Sequence, residues 1–341
     1  MGDRTRRYGF LMPHFGEHAN RANLIKGAQL AERLGFDSLW VRDHLVFHPH
    51  GMEGHDRTHI DPMVSLGLMA GATERITLGT GSLIPYRHPI QAALALASLE
   101  YVAGPSRVIC GFGTGTFQHE FDAAGLGSYD RRELMKEQID VMRRLWTGRE
   151  VDFEGQFYKF EKIDIHPVPE KPIPIWYCGN ASPSVRGATA YCDGWMPGRI
   201  TLAAFAKRVA LLRQLSEEAG RDLPTIAAIP ITSPAKTREE ALAKVPWEEM
   251  LRTAVKPGWP VPEGGWTKPE ALDGALIFGP PETVIEATQR YHEAGLDHIV
   301  YDLRFRYNEW LDCIQLLGEE VLPQLRRLDA RIPSPAAAGE G

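Results

Sequence analysis

The chain predicts an α/β fold, a TIM (β/α)8 barrel with two excursions off the barrel. Three observations predict it. Short apolar runs alternate with amphipathic stretches along most of the sequence. Hairpin signals are lacking between them, which implies an all-parallel sheet. Polar and glycine-rich clusters recur where the apolar runs end.

Residues 8–13 (YGFLMP) read as the first strand. Residues 19–34 carry apolar side chains at helical spacing and stop at Gly35, a residue suited to a helix end. Residues 37–41 form the second strand, 62–72 a helix, and 75–82 (RITLGTGS) the third strand. A helix with many small residues spans 89–102, and 107–113 (RVICGFG) is the fourth strand. A longer helix, 131–146, leads into an aromatic and charged first excursion at 147–172, with a strand-like VDFEGQFYKF. The chain re-enters the core at 173–178 (IPIWYC), followed by a helix at 183–190, a short strand at 194–197 and a helix at 202–219. A strand at 225–231 precedes the second excursion, 235–273, rich in Pro, Gly and Trp. Helix 281–294, the last strand 298–303 and a closing helix 310–328 complete the pattern. Eight parallel strands fit a doubly wound open sheet or a closed barrel. The count of eight, with no break into halves, selects the barrel. Either way, functional groups belong at the carboxyl ends of the strands.

The chain has 341 residues, within the range of one barrel unit. Residues 1–328 are assigned to the barrel, and 329–341, ending PSPAAAGEG, to a disordered tail. The net charge of −6 argues against nucleic acid as a partner. No transmembrane run and no apolar signal region stand out, so neither a membrane nor a secretory address is expected. Cys110, Cys178, Cys192 and Cys313 lack CxxC spacing and read as reduced thiols, which suggests a cytoplasmic protein.

The strand ends carry the chemistry. They read Pro13-His14-Phe15-Gly16, Arg42-Asp43-His44, Gly79-Thr80-Gly81-Ser82, Gly111-Phe112-Gly113-Thr114-Gly115-Thr116, Gly179-Asn180-Ala181-Ser182 and Asp302-Leu303-Arg304-Phe305-Arg306. GFGTG lacks the spacing of a dinucleotide fingerprint. Its glycines suit either a tight turn or close approach of backbone to a flat ring. Gly179 to Ser182 precede a helix, which is either an anion site or an ordinary cap by Ser182. An imidazole can give or take a proton near neutral pH, so His44 is either a proton carrier or a structural histidine. Five histidines, at 44, 48, 50, 55 and 59, crowd one loop, but their spacing matches no common zinc pattern. They read as a polar lid, and no metal site is assigned. Arg304 and Arg306 alternate at the last strand end, where they could clamp an anion or pair with surface carboxylates.

WVRDHL, LGTGSLIPYRHPIQAALALASLEYVAG, RVICGFGTG, CGNASPSVRGATAYCDGWMP and FGPPETVIEATQRYHEAGLDHIVYDL resemble, in order, the luciferase-like monooxygenase superfamily. The resemblance runs from about residue 8 to residue 325. It includes FMN-dependent monooxygenases and oxidoreductases using the deazaflavin coenzyme F-420 (F420), and the match is nearer the deazaflavin branch. It implies a barrel with the ring in its mouth, a cis peptide at Gly81–Ser82, and an Asp43–His44 pair against the ring. Some relatives carry a proton-donating glutamate just after the fourth strand; Thr116 stands there in this chain, with Glu120 one turn away. The candidate catalytic residues are therefore His44, Glu120 and His119. The cofactor set is Asp43, Gly81, Ser82, Gly115, Thr116, Gly179, Asn180, Ala181 and Ser182. The substrate set is His14, Arg304 and Arg306. The reading is hydride transfer between F420 and a small organic substrate. FMN with oxygen, a non-catalytic cofactor-binding barrel and a metal-dependent hydrolase are the alternatives. A homodimer is implied, as is a reductase partner supplying reduced cofactor.

Overall fold

The computed structural model describes residues 5–49, 54–253, 255–256 and 258–331. The first part of the chain runs β1 (Arg7–Leu11), α1 (Arg21–Leu34), β2 (Ser38–Val41), α2 (Pro62–Ala70), β3 (Thr77–Thr80), α3 (Pro89–Ala103) and β4 (Val108–Gly113). Then come α4 (Gln118–Ala123), α5 (Arg131–Leu145), β5 (Val151–Glu154), β6 (Lys159–Ile163), β7 (Ile175–Cys178), α6 (Ser182–Tyr191), β8 (Gly194–Met196) and α7 (Leu202–Glu218). The last part holds β9 (Thr225–Ala228), β10 (Ile231–Pro234), α8 (Arg238–Ala243), α9 (Trp247–Thr253), β11 (Leu276–Gly279), α10 (Pro281–Glu293), β12 (His298–Asp302), α11 (Trp310–Leu316) and α12 (Leu322–Asp329).

Among the described residues, eight parallel strands close a ring in the order β1, β2, β3, β4, β7, β8, β9, β12, with β12 returning to β1. This is the closed barrel the sequence predicts. Ring strands are buried on both faces, which is why they read as continuous apolar runs. Polar side chains finish the helices between them: Asn20 accepts from the Asn23 N–H at the start of α1, and Asp130 from the Arg132 N–H at the start of α5. Gly35 ends α1 with φ at 89°, a left-handed conformation that favours glycine.

The structure departs from the sequence reading in four places. The expected strand at 225–231 is split into β9 and β10, interrupted at Ile229 and Pro230, and β10 leaves the ring to pair with β11. β11 (LIFG) was not anticipated, because four residues at the end of an excursion carry no measurable period. The first excursion contains an antiparallel β5–β6 hairpin, outside the ring, with Phe153 and Phe160 stacked at 5.6 Å. The closing helix is interrupted by a π turn at Leu317–Val321. Pro323 has no N–H to offer the preceding turn, so the backbone widens ahead of it. The proposed tail falls mostly outside the described residues. Asp329 itself accepts hydrogen bonds from Tyr8 at 2.7 Å and Arg6 at 2.8 Å.

Carboxylates tie down the amino ends of the ring strands. Asp37 accepts from the Tyr8 N–H at 2.7 Å, Glu32 from those of Arg75 and Ile76 at 2.6 and 2.9 Å, and Asp193 from that of Ile175 at 2.8 Å. These backbone donors lie where the sheet ladder ends, and charged acceptors satisfy them strongly.

His292 packs under this end with its ring 5.8 Å from that of Tyr8, and neither ring nitrogen finds a partner among the described residues. Burial, with Arg6 nearby, pushes its pKa from 6.5 down to about 3. The folded chain thus keeps His292 neutral where the unfolded chain binds a proton, so stability falls as pH drops below 6.5 toward 3. Urea unfolding at pH 6.5 and pH 5 should show the wild type losing about 2 kcal/mol more than His292→Phe. Equal losses would mean that His292 is protonated in the fold.

Candidate active site

The carboxyl ends of the ring strands open onto a cleft of about 480 Å³. His44 stands there, just beyond β2, and α4 carries Glu120 to it. The His44 Nδ1 lies 3.2 Å from the Glu120 Oε1, with the two side chains 9% and 3% exposed. The same oxygen accepts the N–H groups of Leu45 at 2.9 Å and Val46 at 3.2 Å. Burial alone would raise the Glu120 carboxyl. The hydrogen bond and charge of His44 and the two backbone donors outweigh it and hold Glu120 below its ordinary value. An ionised Glu120 can only accept, so the His44 Nδ1 carries the proton in this pair. Phe47, His59 and Phe117 surround the imidazole, with ring centroids 5.4 to 5.9 Å away.

Asp43 borders the cleft but its carboxylate serves Arg87. The Arg87 Nε and Nη2 donate to the two Asp43 oxygens at 2.9 and 2.7 Å, and Nη2 also reaches Asp61 at 2.7 Å. Burial would lower Arg87, yet the two carboxylates hold it above its ordinary value. Asp61 in turn caps α2 through the Met63 N–H at 2.8 Å. One guanidinium therefore fastens the end of β2 to the start of α2 and to its own loop after β3. Sequence reasoning missed Arg87 and Asp61; the Asp61-Pro62 pair is a helix-start signal that could have flagged the second.

Glycines line the next side. The Gly81–Ser82 peptide is cis, as the family resemblance implied. Gly115 has φ at 68°, and a Cβ there would stand 2.8 Å from Phe121. A Cβ on Gly113 would stand 2.5 Å from the Ser82 Oγ, and one on Gly79, beneath the cleft, 2.5 Å from the Trp40 ring. Gly81, Ser82, Gly115 and Thr116 all border the cleft.

The anion candidate is changed in detail. The Gly179 N–H donates to the Met196 carbonyl at 3.1 Å, so it belongs to the sheet. The Asn180 side chain donates to the Arg199 carbonyl at 2.8 Å and accepts from the Gly198 N–H at 2.7 Å. The N-cap of α6 is Ala181, not Ser182, and no side chain caps the helix. Ser182 is already helical. Of these residues, Gly179 and Asn180 line the cleft, beside Arg199.

Five candidates do not line the cleft. His14 is fully buried, its Nδ1 2.8 Å from the Met12 carbonyl and its Nε2 accepting the Arg42 N–H at 2.8 Å. Burial, followed by His59 and Arg42, pushes it well below its ordinary pKa. It brackets the ends of β1 and β2. His119 points to the surface, 3.0 Å from His48. Arg306 donates to the Pro234 carbonyl at 2.5 Å and to Glu309 at 2.6 Å, because residues 304–309 form a 3-10 turn and strand alternation has ended. Ala181 and Ser182 flank the cleft without lining it. Arg304 does border it, paired with Asp302. Among the described residues no group of three His, Cys, Asp or Glu is placed to hold a metal ion; His50 lies outside them. Lys256 and Arg199, which the sequence reading passed over, complete a basic side of the cleft.

Fold and cleft define a barrel enzyme with an imidazole–carboxylate pair at its carboxyl-end mouth. A family model described as luciferase-like monooxygenase matches residues 7–298. An F420-dependent hydroxymycolic acid dehydrogenase of Mycobacterium tuberculosis is 33% identical, the match covering 94% of this chain and 89% of that protein. An F420-dependent glucose-6-phosphate dehydrogenase of Nakamurella multipartita is 29% identical, over 92% of this chain and 95% of that one. A solved F420-dependent secondary alcohol dehydrogenase in complex with an F420-acetone adduct shares the fold, with a TM-score of 0.77 and 21% identity over 94% of this chain and 99% of that one. The chain belongs to the luciferase-like monooxygenase family and is an oxidoreductase of that superfamily.

The Arg87 clamp makes a stability prediction. Arg87→Met leaves Asp43 buried without its cation and should lower the urea-unfolding free energy by about 3–5 kcal/mol. Adding Asp43→Asn should recover much of that loss. A single variant as stable as wild type would show that the clamp contributes nothing.

Proposed function

We propose that this chain is an F420-dependent dehydrogenase that oxidises an alcohol. The His44–Glu120 pair carries the reading. His44 takes the substrate hydroxyl proton at Nε2, and Glu120 stabilises the resulting imidazolium through Nδ1. A neutral His14 behind the pair adds no competing charge. When bound, oxidised deazaflavin supplies the acceptor for the carbinol hydride.

The residues present fit such a cofactor. Gly81, Gly113 and Gly115 leave flat, side-chain-free wall where a ring can lie close. Thr116 and Ser82 offer hydroxyls beside it. The uncapped start of α6, with Arg199 and Lys256, suits the coenzyme's phosphate and acidic tail. Gly179 and Asp43 would act by shaping that wall rather than by donating to the cofactor. Arg304 borders the substrate side. The names of the curated relatives support deazaflavin over FMN.

We read the working form as a homodimer through α2 and α3. Both helices are apolar nearly all round, and they expose Val64, Tyr101 and Val102 at 63%, 75% and 68%. A cytoplasmic address is part of this reading. All four cysteines are unpaired, and among the described residues no helix is long and apolar enough to cross a membrane.

Equilibrium titration should show F420 binding more tightly than FMN; FMN binding with no F420 binding would reverse the proposal. His44→Ala should keep cofactor affinity while slowing single-turnover reduction of bound F420 by alcohol about 100-fold or more. An unchanged rate with an unchanged pH profile would remove His44 from proton transfer. In sedimentation, Tyr101→Arg combined with Val102→Glu should shift the chain to monomer. A variant that still sediments as a dimer would place the interface elsewhere.

A further inference from the structure

The histidine-rich loop after β2 holds one pair that the catalytic cleft does not use. His44 and His59 turn inward, their rings 5.5 Å apart. His48 instead reaches across to α4, where its Nδ1 lies 3.0 Å from the Nε2 of His119. The two residues are 71 positions apart in the chain, and neither lines the cleft. His119 is exposed and His48 half-buried, so solvent reaches the pair.

The contact is bent. An imidazole nitrogen offers its lone pair or its N–H along the line from the ring centre, which lies about 1.15 Å behind it. Two rings joined by a straight N–H···N bond of this length would hold their centres about 5.3 Å apart. The observed separation is 4.8 Å, with the planes at 76°. The ring axes therefore do not run along the line between the nitrogens. A single point about 2.0 Å from each nitrogen, on both axes, reproduces the 3.0 Å and the 4.8 Å together, with an angle there of about 100°. Zinc–imidazole bonds are ~2.0–2.1 Å long, and that angle falls between the square corner favoured by copper(II) and the tetrahedral angle of zinc. The two nitrogens stand at the bite of one shared metal ion.

Two imidazoles fill half of a four-coordinate shell. Among the described residues no third His, Cys, Asp or Glu joins them, so the other positions are open to water. Such a shell suits ions of borderline softness and rejects calcium and magnesium, which need oxygen ligands. Binding needs a lone pair on each facing nitrogen, so the ring that donates within the pair shifts its proton to its far nitrogen.

We propose that His48 and His119 form a divalent transition-metal site at the lip of the catalytic cleft. Phe117, which borders the cleft, lies between the site and the catalytic imidazole, its ring 5.6 Å from that of His119 and 5.9 Å from that of His44. The loop carries His44 and α4 carries Glu120. An ion held by the pair staples together the two elements that bring those side chains into contact.

Zinc and copper(II) are the probes, titrated calorimetrically into the full chain in a non-coordinating buffer. Zinc should bind one equivalent with a Kd of ~100 µM or lower, and copper at least about tenfold more tightly. The copper complex should show the electron-spin superhyperfine pattern of two imidazole nitrogens. His48→Ala and His119→Ala should each weaken zinc binding about tenfold or more. His55→Ala and His166→Ala, at other exposed histidines, should leave it unchanged. Zinc should also slow amide exchange at Leu45 and Val46 in the wild type but not in His119→Ala. No saturation by ~1 mM zinc overturns the site. So does an affinity that follows His55 or His166 instead of the pair, or a copper spectrum with a single nitrogen. Unchanged amide exchange with zinc bound overturns the staple.

Discussion

Five consecutive residues of β1, Arg7 to Leu11, pair in register with His298 to Asp302 of β12, the last strand of the ring. Without that pairing the sheet would have two open edges, each a row of unsatisfied backbone groups. With it, every ring strand points the same way, and all their carboxyl ends converge on one opening. The cleft at the carboxyl ends and the cavity at the amino ends, where Arg7, Thr77, Thr225 and His298 begin their strands, are both products of closure. Neither could be assembled from an open sheet, where strand ends fan apart instead of facing one another across a common axis. The Tyr307 hydroxyl reinforces the seam, donating to the Met12 carbonyl at 3.1 Å.

Within the cleft, partners rather than residue type decide what a polar group does. His14 and His44 stand on adjacent strand ends, in the same ring cluster around His59. One gives both nitrogens to the main chain and becomes a bracket. The other gives one nitrogen to a buried carboxylate and lines the cleft. Asp43 and Glu120 divide in the same way: Asp43 is neutralised by Arg87 and carries load, while Glu120 faces an imidazole and sets its orientation.

Much of this was legible in the sequence because strands buried on both faces are uninterrupted apolar runs set between amphipathic helices, and helix ends are punctuated. Gly35 and the strand-end glycines each mark a local conformation, and local conformation is what a sequence pattern records. His44 was found through its position after the second strand. What was not legible depends on contacts far apart in the chain. Nothing near Arg306 shows that a 3-10 turn rotates it toward Pro234, nor near His14 that Arg42 will use its second nitrogen. Gly179 looked like a phosphate donor until its N–H was seen in the β7–β8 ladder. Arg87 was read only as part of a matching segment, since its two carboxylates lie 26 and 44 positions away.

The histidine-rich loop after β2 is held at both ends. Glu120 grips the Leu45 and Val46 amides at one end. At the other, Phe15 bridges to His59, the Gly16 N–H donates to Thr58 at 2.8 Å, and the Ile60 N–H donates to His14 at 2.9 Å. A segment hung from two such pins can be rewritten between them without moving what the pins support. The contacts that hold the imidazole come from Glu120, Phe47, His59 and Phe117, none of which lies within residues 48–57. The sequence between the pins and the position of the imidazole are therefore separable: one can drift while the other stays anchored.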